Sequence, residues 1–236
     1  MADHTFSTST GPAFVPGPVL LLGAPGVGKG TQAQVLMSEF DIPQISTGDL
    51  LRQNRREQTS LGLMADELMR QGQLVPDDIV NSMVAARLAA ADCGRGYILD
   101  GFPRTLAQAD WLDKHLGASS LPVIAVSINV GYDQLLQRIT GRRTCSACKH
   151  IYNVFSNPPK VAGLCDHDGA ALEQRADDTE AVFAERMKTF DAQTAPVIEH
   201  YRAQGRFEEV DGERPVVQVT ADIEAALRRL RGQGVA

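Results

Sequence analysis

No apolar run in these 236 residues approaches the length of a membrane-spanning helix. The first 17 residues contain no lysine or arginine. They therefore lack both the basic start of a secretory signal and the arginines of a mitochondrial presequence. Rich in Ser, Thr, Gly and Pro, they are expected to form a flexible extension, residues 1–17, ahead of the first strand. Cysteine is scarce, with four in the chain. That argues against a disulfide framework and for a cytoplasmic protein whose clustered thiols bind metal. Positive charge is not in excess either. The net charge of −6 speaks against a general nucleic-acid binder. No internal repeat is present, and no Ser–His–Asp or paired-carboxylate arrangement asks for nucleophilic or glycosidase-like chemistry. The Asn-Lys-x-Asp signature of a guanine-binding switch protein is missing as well.

What the chain does have is apolar content of 43%, ordinary for a globular protein. Five short β-rich runs punctuate it: Val19–Leu22, Ile42–Ile45, Tyr97–Leu99, Val123–Ile128 and Phe207–Val210. Helical patterns fill the gaps at about 31–40, 48–57, 61–71, 77–91, 105–116, 132–140, 179–203 and 215–231. Strands alternating with helices predict an α/β fold with a five-stranded parallel sheet covered on both faces, a three-layer arrangement. Ligands then bind at the carboxyl ends of the strands. Two segments break the rhythm, 46–75 and 141–178. Both read as insertions into a core made of 18–45, 76–140 and 179–236.

The first run leads into Gly23-Ala24-Pro25-Gly26-Val27-Gly28-Lys29-Gly30-Thr31 and then a helix. Strand, glycine loop, lysine and helix together make a P-loop. The glycines let backbone N–H groups turn toward a phosphate chain, and the helix adds its N-terminal partial positive charge. Lys29 reaches the outer phosphates and a following hydroxyl faces Mg²⁺. Gly30 stands where Ser or Thr usually follows the lysine, and Thr31 comes one later. A second phosphate-handling set, Asp100-Gly101-Phe102-Pro103-Arg104-Thr105, ends the third run. Asp100 is placed to orient Mg²⁺ through water, and Arg104 offers a fork for bidentate phosphate contact. Thr105 is also a fitting helix cap. Ser46-Thr47-Gly48-Asp49 after the second run reads, alone, as a plain N-cap box.

Cys145-Ser146-Ala147-Cys148, sixteen residues, then Cys165-Asp166-His167-Asp168 form two knuckles suited to one tetrahedral metal. Asp168 stands at the position of a fourth cysteine. His167, one place out of register, is the rival ligand. Free thiols or a Cys145–Cys148 disulfide are the plain alternatives, and Cys93 reads as structural. A filled four-ligand site leaves no open position for substrate, so the metal would be structural.

The order GAPGVGKGTQ, ISTGDLLR, GQLVPD, DGFPRT, RITGRR, FSNPPK, QRADD resembles that of the adenylate kinase family, from about Pro18 to the C-terminus. Such enzymes convert ATP and AMP to two ADP. The resemblance implies an AMP-binding insertion at 46–75 and a zinc-binding lid at 141–178. It implies that Thr47, Arg52, Gln73, Leu74, Val75, Gly101, Phe102, Pro103, Arg104 and Gln108 surround AMP. Gly26, Val27, Gly28, Lys29, Gly30, Thr31, Arg142, Ile151, Tyr152 and Arg214 would surround ATP. Arg138, Arg142, Arg175 and Arg186 would converge on the transferred phosphoryl group with Lys29 and Arg104. It further implies Mg²⁺ with ATP, a Cys₃Asp zinc site ending in Asp168, and a monomer without nucleic-acid or membrane partners. The competing expectations are a kinase for another monophosphate, a GTP-preferring donor, or a zinc-ribbon nucleic-acid binder. Thr47 favours adenine over pyrimidines. The mixed charge of the 141–178 segment disfavours the ribbon.

Overall fold

A computed structural model describes residues 14–117 and 121–232. The glycine-loop unit comes first: β1 (Gly17–Leu22), fully buried, then the loop, then α1 (Lys29–Phe40). β2 (Gln44–Ser46) follows, with α2 (Thr47–Arg56) and α3 (Ser60–Arg70) as a helical excursion and α4 (Asp77–Leu88) returning to the core. Next come β3 (Gly96–Asp100), α5 (Leu106–Leu116), β4 (Ile124–Asn129) and α6 (Tyr132–Gly141). A second excursion holds β5 (Arg142–Cys145), β6 (Ile151–Asn153) and β7 (Leu172–Glu173). The chain ends with α7 (Glu180–Thr189), α8 (Ala195–Ala203), β8 (Phe207–Asp211) and α9 (Val216–Gly232).

The main sheet is parallel and five-stranded, in the order β2-β3-β1-β4-β8. Apolar residues along the strands alternate between two buried clusters, one on each face. Val19 and Leu21 of β1 join α1, α6 and α9, while Leu20 and Leu22 join α4, α5 and α8. The chain passes from β1 to β2 on one side by way of α1, and from β3 crosses to β4 on the other side of β1 by way of α5. The carboxyl ends of β1 and β3 are neighbours, with Leu21 beside Asp100. The glycine loop and the Asp100–Thr105 turn therefore open onto the same crevice.

Two expectations need correction. Of the extension expected at 1–17, residues 1–13 lie outside the described residues, but Phe14 is half-buried, Pro16 and Gly17 are buried, and β1 already begins at Gly17. Phe14 meets Phe40 edge-on with ring centroids 5.7 Å apart, and the Arg228 guanidinium lies 4.5 Å from the Phe14 centroid. The single helix expected at 179–203 is broken by a π-helical turn at Phe190–Thr194. Pro196 lies in the first turn of α8 and has no N–H to continue the ladder. Within the 141–178 segment, β6-β5-β7 form a small antiparallel sheet.

The α2–α3 excursion depends on a close crossing at Gly62. A Cβ there would sit 2.2 Å from the Asn54 carbonyl carbon and 2.3 Å from the Arg55 nitrogen. Both neighbours are backbone and cannot step aside as a side chain would. Gly62→Ala is expected to lower stability by about 3 kcal/mol, the upper part of the range for overpacking. Thermal unfolding reads it, with Gly94→Ala as control because nothing lies within 4 Å of a Cβ there. Equal midpoints for the two variants would contradict the close crossing.

Candidate active site

The crevice is a cleft of about 1450 Å³ bounded by the glycine loop, the Asp100–Arg104 turn, the α2–α3 excursion, the small sheet and the start of α9. Gly23 has φ 128°, and a Cβ on it would lie 2.4 Å from the Ile128 carbonyl oxygen. Only glycine lets the loop pass this close over β4. Helix α1 starts at Lys29 with no side chain capping its first N–H groups. Those donors are open to an anion. Lys29 Nζ donates to the carbonyls of Gly23 (2.7 Å) and Ala24 (3.1 Å). Burial, together with Arg104, Arg186 and Arg142 nearby, brings its pKa down to about 8, although Asp100 opposes the shift. Gly30 faces across the cleft: a Cβ there would lie 3.8 Å from Asp100 Oδ2 and 3.9 Å from Ile151 Cδ1. Gly26, Val27, Gly28 and Thr31 line the same wall.

On the opposite wall the Gly101 carbonyl accepts from Thr47 Oγ1 and from Arg104 Nε, both at 2.8 Å. The Arg104 N–H donates to Gln108 Oε1 at 2.8 Å. Arg104, Gly101, Phe102, Pro103, Gln73, Leu74 and Arg52 line the cleft. Thr47 (3% exposed), Gln108 and Val75 are buried behind that lining. Arg52 is held by Asp49 on the same helix, 2.7 Å away.

Arginines close the far side. Arg142 makes a two-pronged pair with Asp178, 2.8 Å and 2.5 Å, and Asp178 is 0% exposed. Arg186 pairs with Asp177 at 3.0 Å. The Arg175 carbonyl accepts from the Asp178 N–H at 3.1 Å, while its guanidinium makes no hydrogen bond or ion pair among the described residues. Burial and the neighbouring Arg142 and Arg52 bring its pKa down to about 10. Arg186 is brought down to about 10 chiefly by burial. Lys29, Arg104, Arg142, Arg175 and Arg186 are thus gathered around one space. Arg138 lines it too, but its guanidinium donates to the carbonyls of Val27 (3.1 Å) and Gly212 (2.8 Å). In this arrangement Arg138 braces the glycine loop. Arg214 lines the cleft while its guanidinium pairs with Asp222 along α9.

Sequence reasoning did not single out Asp177 and Asp178 as the anchors of two arginines, nor Asp77. The Asp77 carboxylate accepts from Gln108 Nε2 at 2.6 Å and from Thr105 Oγ1 at 2.8 Å. The paired aspartates after Arg175 were the available signal.

Cys145, Cys148, Cys165 and Asp168 bring one donor atom each within 4.8 Å of one another. The Cys148 and Cys165 sulfurs are 3.6 Å apart, and Cys145 Sγ lies 3.4 Å from Asp168 Oδ1. Zn–S bonds of about 2.3 Å give a tetrahedral edge near 3.8 Å, so the donor set fits zinc. His167 is not part of this donor group, and its ring centroid lies 4.3 Å from that of His150. Tyr152 lines the cleft, but its hydroxyl sits 3.5 Å from Cys165 Sγ and accepts from the Asp166 N–H at 2.8 Å.

A glycine loop after a buried central strand, a lysine over it and a ring of arginines define a P-loop phosphotransferase. A family profile described as adenylate kinase matches residues 21–206. The chain is similar to proteins named adenylate kinase from Carboxydothermus hydrogenoformans (45% identity over 212 residues, 89% of this chain and 99% of the relative) and Desulforudis audaxviator (47% identity, the same shares). A third, from Methanocella arvoryzae, is 44% identical over 89% of this chain and 98% of its own. The chain belongs to the adenylate kinase family.

The depressed Lys29 pKa has a kinetic consequence. Only the protonated ammonium attracts phosphate, and in the free protein it loses its proton as pH rises through about 8. The kcat/KM for the loop-bound nucleotide reports the free enzyme. It is expected to fall above pH about 8, while Lys29→Arg moves that limb well to the alkaline side. A flat profile through pH 9.5, about 1.5 units past the midpoint, would contradict the assignment.

Proposed function

We propose that this chain catalyses reversible transfer of the γ-phosphoryl group of ATP to AMP, giving two ADP, as a monomer in the cytoplasm. The observation that carries the reading is one cleft in which Lys29 and four arginines from separate segments face an uncapped helix start. Phosphoryl transfer asks for in-line placement and neutralised charge more than for a nucleophilic side chain. ATP lies along Gly26–Thr31 with its base toward Arg214. Ile151 and Tyr152 cover it, and Arg138 braces the loop. AMP lies between the α2–α3 excursion and the Gly101–Arg104 turn, contacting Arg52, Gln73 and Leu74 and backed by Val75, Thr47 and Gln108. Lys29, Arg104, Arg142, Arg175 and Arg186 surround the group in flight. Mg²⁺ enters with ATP, near Thr31 and Asp100.

Thr47 Oγ1 donates to the Gly101 carbonyl and keeps its acceptor side for a base amino group. A site built this way disfavours a base that leaves it unpaired. The 141–178 segment acts as a lid that keeps water from taking the phosphoryl group. Zinc, held by Cys145, Cys148, Cys165 and Asp168, staples a segment whose own apolar cluster is confined to a few side chains.

Two experiments test this reading. A coupled assay of ADP formation from ATP should show AMP used in strong preference to GMP, CMP or UMP. Equal turnover of UMP or CMP would overturn the AMP assignment. Lys29→Ala and Arg104→Ala should each lower turnover about 10²–10³-fold with the fold retained. For the metal, elemental analysis should find one zinc in wild type and in His167→Ala. Asp168→Ala should lose zinc together with several degrees of melting temperature. Zinc lost from the histidine variant and kept by the aspartate variant would mean that the fourth ligand is wrong.

A further inference from the structure

Gln32 sits in the first turn of α1, immediately after Thr31, and is 3% exposed. Both ends of its amide reach across most of the chain to the start of α9. Nε2 donates to the Val216 carbonyl at 3.2 Å, and Oε1 accepts from the Thr220 hydroxyl at 2.8 Å. Thr220 is itself 7% exposed, and its single hydroxyl hydrogen also has the Val216 carbonyl within 3.0 Å. A buried amide with both ends engaged is costly to replace by an apolar group, because Val216 and Thr220 would each lose a partner.

Val216, which Gln32 grips, ends the stretch from Gly212 that joins β8 to α9. Gly212, Arg214, Pro215 and Val216 line the cleft there. Arg138 holds the same stretch at its other end through the Gly212 carbonyl, and holds the glycine loop through Val27. Two separate bridges therefore tie this wall to the phosphate loop, one at Val27 and one in the first turn of α1. None of their hydrogen bonds involves Thr47, Gly101 or Arg104 on the opposite wall.

We propose that Gln32 and Thr220 are positioning residues for the donor nucleotide. They fix the separation between the wall that receives its base and the loop that receives its phosphates, and so set both donor affinity and donor base choice. The inference rests on the reading that ATP occupies the loop. A wall free to shift by a fraction of an ångström cannot meet the base while the phosphates stay seated. The AMP side, which shares none of these bonds, is left intact. If the pair only glued α1 to α9, its loss would lower stability and leave the two substrates' Michaelis constants untouched.

The test uses the full chain with Gln32→Met, Thr220→Val, their combination and Thr220→Ser. Melting temperature is recorded beside KM for ATP and for AMP, and beside the ATP-to-GTP ratio of kcat/KM. Gln32→Met and Thr220→Val should raise KM for ATP about tenfold, the factor one lost buried hydrogen bond is worth. KM for AMP should stay within about twofold and the ATP preference should shrink. Thr220→Ser, which keeps the hydroxyl, should match wild type. The double variant should be no worse than the poorer single one, since both break the same tie. A lowered melting temperature with both KM values unchanged would overturn the proposal, as would equal rises for ATP and AMP. If Gln32→Met fails to fold, Thr220→Val alone decides between these outcomes. Wild type making no ADP from ATP and AMP would instead overturn the reading of function on which it rests.

Discussion

Gathering Lys29, Arg104, Arg142, Arg175 and Arg186 in one half-enclosed space is the constraint that the rest of this structure answers. Like charges this close, partly out of water, oppose one another and favour losing a proton. Burial and neighbouring arginines lower Lys29, Arg175 and Arg186 together. Burial alone would lower Arg142 as well, and its paired Asp178 more than offsets that. Asp100, Asp177 and Asp178 are thus counter-charges to the cations, the first two on the cleft wall and Asp178 fully buried behind Arg142. A buried ion pair adds little net stability, but removing one partner leaves a charge stranded. The aspartates are best understood as what permits the cations to stay charged and aimed.

The sheet makes such a gathering possible. Its order sets the ends of β1 and β3 side by side, so the glycine loop and Arg104 are neighbours without any long connection. The other cations arrive from outside the sheet: Arg142 on the first strand of the small antiparallel sheet, Arg175 just after its last strand, Arg186 on α7. The π-helical turn at Phe190–Thr194 belongs to the same design. It carries Thr194, whose hydroxyl donates to the Arg104 carbonyl at 3.0 Å and so ties the turn to α8.

Much of this was legible in the chain. The glycine loop, the five apolar runs and the cysteine spacing are local patterns, each readable within a few dozen residues. The cysteine spacing pointed to one cluster and left His167 as a rival to Asp168; the family resemblance favoured Asp168, and the structure groups Asp168 with the three thiols. What was not legible depends on separation in sequence. The tie from Gln32 to Thr220 spans 188 residues, and glutamine in a first helical turn looks ordinary. Arg138 was readable as a cation but not as a brace, since the carbonyls it grips belong to Val27 and Gly212. The strands of the small sheet are two to four residues long, too short for alternation to declare itself. The break at Pro196 was present in the sequence, yet the helical period on both sides of it masked the interruption.

The central claim is that the cationic cleft hands the phosphoryl group from one nucleotide to another without releasing it to water. Phosphorus NMR of the full-length protein with Mg²⁺, ATP and AMP tests this directly, because ADP and inorganic phosphate give separate signals. The account predicts that ADP rises by two for each ATP lost, that AMP falls in step, and that inorganic phosphate stays at its starting level. Inorganic phosphate growing in proportion to ATP loss, with AMP unchanged, would contradict it.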